Sequence, residues 1–323
     1  MTPLRDLRLV VVSGKGGVGR TTVAAALARA AADAGKRVLV AGSAPTDRLG
    51  RLFGRPALGP TVTALAPGID GVNMTSESAL LEYGVLTLRS ELVARALFEN
   101  RAARGFLGAI PGLDAYALLG KAWWHTTEQV NGRPRYDLVI LDGPASGHAP
   151  LMLRIPGAIL DAMPKGPLSR DARAIDELLH DPTRAALLVV TLAEELPANE
   201  ARELVRATRE GLRLPLGPLV VNAVAPDDAD SPALAPLLDR TPGAVDPALA
   251  ATLRLAGVAR AHRRLAETAI AGLRRDPGLP ILALPRLPTV DVGPAGIATL
   301  ASHLAEPPQE TPSPPRFSQE TAG

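Results

Sequence analysis

Between positions 14 and 21 the chain reads GKGGVGRT. Glycines at 14, 16, 17 and 19 leave backbone N–H groups unshielded, so that they can converge on an anion. The spacing is that of the phosphate-cradling loop G-x-x-x-x-G-K-[ST]. Every fixed position matches except the lysine, where Arg20 stands. Gly14, Gly16, Gly17, Val18, Gly19, Arg20, Thr21 and Thr22 are therefore candidate nucleotide-phosphate contacts. The Thr21 hydroxyl is placed to reach Mg²⁺.

A loop of this kind works only between a strand and a helix. Residues 7–13 (LRLVVVS) read as a strand buried on both faces, and 21–35 as an Ala-rich helix closed by Gly35. Residues 36–42 (KRVLVAG) read as a second buried strand, completing a βαβ unit whose crossover should be right-handed. Further near-continuous apolar runs at 136–142, 184–192, 217–224 and 279–285 predict more strands of a parallel sheet covered on both faces. The pattern breaks from about 76 to 130. There Leu81, Val85, Leu88, Leu92 and Ala96 recur at helical spacing, and a helix is predicted to follow Pro111. This block reads as a helical insertion. Residues 226–273 read as largely helical, and 306–323, polar and Pro-rich, as a disordered tail. The fold class expected is α/β: a three-layer nucleotide-binding domain over 1–305 with a mostly parallel sheet.

Composition narrows the chemistry. The chain has no cysteine, which removes disulfides, thiol nucleophiles and Cys-based metal sites. A formal charge of +2 gives no reason to expect nucleic acid. No apolar run is long enough for a stable membrane span, and the start of the chain lacks a signal-peptide pattern, so a cytoplasmic protein is expected. Only four residues are lysines, at 15, 36, 121 and 165, so the position of each carries information.

The run SGKGGVGRTT resembles the deviant loop KGGVGKTT of the family that includes the ArsA arsenite-pump ATPase, the tail-anchored-protein targeting ATPase and the MinD/ParA partitioning ATPases. The segment DGPASGHA, from Asp142, is similar to DTAPTGHT of the first two. The resemblance spans about residues 5–305. It implies a P-loop ATPase that binds ATP or ADP with Mg²⁺ in a nucleotide-sandwich dimer. It implies that Lys15 reaches the partner's phosphates, that Thr21 and Asp142 hold Mg²⁺, and that Ser146, Gly147 and His148 sense the γ-phosphate. It further implies that Asn222, in VVNAV, hydrogen-bonds adenine, and that Pro285, in LPRLP, belongs to a loop over the base. The helical insertion would meet a hydrophobic client or another partner protein.

Three departures qualify this. Arg20 replaces the loop lysine; Arg is bulkier and planar, so the swap is not conservative in a tight loop. Aligning residues 43–54 with the family's STDPA-like segment puts Ala44 where its water-orienting aspartate belongs, with Asp47 three residues away. The arsenite-binding thiols and the CxxC zinc clamp are both missing. Two readings follow: a dimeric ATPase switch, homo- or heteromeric, with weakened hydrolysis, or a hydrolysis-impaired nucleotide-binding subunit paired with an active ArsA-like paralogue.

Overall fold

The computed structural model describes residues 3–88, 100, 112–162, 165–225, 247–289 and 291–305. Its frame is an eight-stranded sheet in the order β10-β9-β8-β1-β7-β2-β4-β3. The strands are β1 (Leu9–Gly14), β2 (Val38–Gly42), β3 (Thr63–Ala66), β4 (Ile69–Asn73), β7 (Leu138–Ala145), β8 (Ala185–Leu192), β9 (Leu219–Val224) and β10 (Ile281–Pro285). Every pairing is parallel except that of β3 with β4. β5 (Gln129–Val130) and β6 (Arg133–Pro134) form a separate short hairpin.

Side chains alternate across this sheet and build two cores. Leu9, Val11, Leu39, Ala41, Val139 and Leu141 face one side. There they meet Leu119 of α4 (Leu113–Thr127), Met152 of α5 (Ala149–Ala162), Ile175 of α6 (Pro167–His180) and Ala198 of α7 (Glu195–Ala207). Val10, Val12, Val38, Val40, Leu138 and Ile140 face the other side, against α1 (Arg20–Asp33) and α9 (Pro294–Ala305). Both faces of each central strand are buried, which is why those runs are continuously apolar. The alanines along α1 leave little side-chain bulk, so the helix lies close to both the sheet and α9.

The six predicted strands are present, shifted by up to three residues at their ends. The antiparallel edge of β3 and β4 escaped the sequence reading because TALAPGIDGVN is short, turn-rich and only half buried. The predicted helical block opens on α3 (Ser76–Leu88). Its second half, α4, is not peripheral: Tyr116, Leu119 and Ala122 lie in the main core. Leu92 and Ala96, the 226–246 segment and the Pro-rich tail lie outside the described residues. Helix α8 (Pro247–Arg275) follows, and α2 (Leu49–Leu52) is a single turn. Among the described residues, no helix is long and apolar enough to cross a membrane.

Candidate functional site

The phosphate loop leaves the carboxyl end of β1, at the centre of the sheet. β1 connects through α1 to β2, yet β7 lies between those two strands, so a crevice opens at their ends. Two glycines make the loop possible. A Cβ on Gly14 would fall 2.1 Å from the Val190 carbonyl oxygen of neighbouring β8. Gly19 has φ +90° and precedes α1, and a Cβ there would fall 2.3 Å from Asn222 Nδ2. No side chain caps the first turn of α1, so its leading N–H groups and its dipole are free to receive an anion.

The crevice is a cavity of about 640 Å³, lined by Gly17, Gly19, Arg20, Thr21 and Thr22, by Asp142, and by residues from Gly42 to Leu52 that include Ala44 and Asp47. Thr21 Oγ1 donates to Asp142 Oδ2 at 2.6 Å. Asp142 pairs in register with Val12 of β1 and Gly42 of β2, and is 9% exposed. Burial raises its carboxyl pKa above the usual value; Thr21 and the Arg20 charge oppose that rise, and Asp47 adds to it. A buried carboxylate beside a hydroxyl at the mouth of a phosphate loop suits Mg²⁺, which takes few protein oxygens and completes its shell with phosphate and water. The residues present therefore fit that ion.

Other predicted residues are placed less expectedly. Arg20 donates from Nη1 to the Gly143 carbonyl at 2.6 Å, so the cation lies along the segment after Asp142. Lys15 does not line the cavity; its Nζ bonds Glu200 Oε1 at 2.6 Å. Asn222 braces the loop, Nδ2 donating to the Val18 carbonyl at 2.8 Å. Pro285 ends β10, paired with Val224, and is not among the cavity-lining residues. Gly16 keeps open space around its α-carbon, and Val18 is buried in the core under α1.

Asp47 lines the cavity, but its carboxylate is engaged. Oδ1 accepts from the Leu49 N–H and Oδ2 from the N–H groups of Gly50 and Leu58. It organises the turn of residues 47–58. Two residues were missed by sequence reasoning. Asn73, at the end of β4, donates to the Ala44 carbonyl at 3.0 Å and lines the cavity. Glu200, on the amphipathic helix α7, belongs to no motif, and only the folded distances single it out.

A strand–loop–helix cradle at the centre of a mostly parallel sheet in a three-layer fold defines a P-loop nucleotide-binding protein. The family model described as anion-transporting ATPase matches residues 7–166. ATPase BagA of Mycobacterium tuberculosis is 30% identical over 276 residues, covering 84% of this chain and 78% of that protein. The chain belongs to this ArsA-type ATPase family. It is also 28% identical to the arsenical pump-driving ATPase of Escherichia coli over 247 residues, 66% of this chain but only 39% of that protein. The ATPase ASNA1 homolog 2 of Paramecium tetraurelia is 26% identical over 155 residues, 47% of this chain and 45% of that protein.

Proposed function

We propose that the chain binds Mg·ATP in this cavity, dimerises across it, and couples nucleotide turnover to a change of shape that a client or partner protein reads. The observation that carries this is the Thr21–Asp142 pair at the mouth of the uncapped loop. Those two oxygens would hold Mg²⁺, which supplies charge neutralisation for the β- and γ-phosphates. The loop N–H groups and the N-terminus of α1 take the phosphate oxygens. Arg20 reaches them by exchanging the Gly143 carbonyl for a phosphate, a stronger acceptor for a guanidinium.

Asn222 reads the base. The Val18 carbonyl only accepts, so the Asn222 NH₂ must face it, and Oδ1 is left to accept from the base. The exocyclic amine of adenine donates there, whereas guanine would oppose a second acceptor. Lys15, turned away from its own cavity and paired with Glu200, would serve a second subunit's phosphates once that pair exchanges. That subunit is another copy of this chain or an ArsA-like paralogue. The client would be a hydrophobic protein meeting the block of residues 76–130.

Asp47 favours the second reading, a subunit with impaired hydrolysis. Cleaving the bond between the γ-phosphorus and its bridging oxygen needs an aligned water. Ala44 offers no carboxylate, and three N–H groups tie Asp47 to its own turn, leaving one lone pair on Oδ1. Losing general-base assistance costs about 10²- to 10⁴-fold. The test is ATP turnover of the purified chain, alone and with any co-encoded paralogue, beside the Arg20→Lys/Ala44→Asp double variant. A large gain in the double variant supports the impaired-subunit reading. Wild-type turnover at the ordinary pace of the class, unchanged by the double substitution, refutes it.

A further inference from the structure

Glu200 lies in the second turn of α7, outside the cavity, and touches both segments that flank it. Its Oε1 accepts from Lys15 Nζ at 2.6 Å, and its Oε2 accepts from Ser146 Oγ at 3.1 Å. Ser146 lies just past β7, four residues after Asp142, and its backbone N–H donates to the Gly14 carbonyl at 3.0 Å. The start of the phosphate loop and the segment leaving Asp142 are thus joined twice, once directly and once through one carboxylate.

The two groups that Glu200 holds are both donors, one of them charged. A phosphoryl group is an acceptor for the same pair, with more oxygens and more charge. We propose that Glu200 is a positioning residue, a clamp that holds Lys15 and Ser146 in the free chain and yields both donors to a phosphoryl group. Lys15 and Glu200 are each about 30% exposed, so their pair is weak enough to exchange. The lysine hydrogen bond, and to a smaller degree that of Ser146, lowers the Glu200 carboxyl pKa, so the clamp keeps its charge at neutral pH. The proposal rests on the nucleotide reading above and adds what that reading leaves open, namely what holds Lys15 before phosphate arrives.

A competing clamp lowers affinity, so removing its charge raises it. Glu200→Gln should bind Mg·ATPγS about two- to fivefold more tightly than wild type, the range set by an exposed ion pair. In Lys15→Ala that gain should shrink, because little is left to release, and Ser146→Ala should shrink the remainder. A residue of merely structural use would give additive losses instead. ADP separates the phosphates: if the γ-phosphoryl group is the competitor, Glu200→Gln leaves ADP affinity unchanged. Protein concentration separates the sources. A gain seen only where light scattering shows self-association identifies a second subunit's phosphate, and one seen in the monomer identifies the chain's own. Unchanged or weakened ATPγS binding in Glu200→Gln overturns the clamp.

Should wild type bind no ATP at all, the nucleotide reading fails, and the clamp is then judged in the free chain. Cleavage after Arg8 and Arg20 releases a peptide whose sole lysine is Lys15. Its acetylation by acetic anhydride should run a few-fold faster in Glu200→Gln than in wild type. Equal rates overturn the proposal.

Discussion

Asp142→Asn should strengthen the free protein and weaken the liganded one. The side chain is 9% exposed and its neighbour Thr21 only donates to it, so an amide fits the same space and still accepts that bond. Burial of the negative charge, the first cause of its raised pKa, is relieved. A stabilising single substitution commonly gains about 0.5–2 kcal/mol. At about 2 °C per kcal/mol for a chain of this size, Tm of the free protein should rise about 1–4 °C. A carboxyl whose folded-state pKa is raised contributes fully below its ordinary value of 3.8, and that contribution is lost as pH rises through the elevated value. The gap between variant and wild type should therefore widen from acid toward neutral pH.

Mg·ATP inverts the order. At a hundredfold excess over Kd, a ligand stabilises wild type by about 2.7 kcal/mol. The variant, short of the carboxylate that suits Mg²⁺, should lose most of that increment. The assay is a thermal melt at several pH values, with and without Mg·ATP and with EDTA as control. A free variant less stable than wild type, or an equal Mg·ATP increment in both, refutes the reasoning.

Three further outcomes follow from the same geometry. Gly19→Ala places a Cβ against Asn222 at φ +90°, and should weaken ATP binding by roughly tenfold or more in calorimetric titration with the fold intact. Asn222→Ala should cost about 1–3 kcal/mol of ATP affinity while leaving the weaker binding of GTP nearly unchanged; equal wild-type affinity for the two nucleotides would sink the base-reading role. Tyr136→Phe removes a buried hydroxyl, just ahead of β7, that donates to Asp70 of β4 at 2.9 Å, and should cost about 1–2 kcal/mol in urea unfolding without changing ATP affinity.

The sheet was legible because parallel strands buried on both faces are nearly continuous apolar runs, and residues 9–14, 38–42 and 185–192 are apolar but for Ser13 and Thr191. The phosphate loop was legible because its glycines answer to steric demands that no other residue meets at Gly14 and Gly19. What stayed hidden depends on distance through space. Nothing near Glu200 in the sequence marks it as the partner of a lysine 185 positions away. Asp47 could be counted as a candidate carboxylate but not seen to be engaged, because one of its three donors is Leu58, eleven residues on. The Arg20 substitution was visible, whereas its contact with Gly143 needed the folded chain.

The packing of α9 against α1 carries a consequence for how the protein is made. About 260 residues separate the two helices, and β1 pairs with β7 and β8 rather than with any near neighbour in sequence. The loop is synthesised well before α9, and one whole side of its helix lacks a partner until α9 emerges. At about 5–20 residues per second that interval is roughly 13–50 s. Such non-local closure makes folding slow and leaves the Ala-rich face of α1 open meanwhile. Refolding yield should thus depend on events at α9, and deleting residues 294–305 should cost the nucleotide site its support although none of them belongs to the phosphate loop.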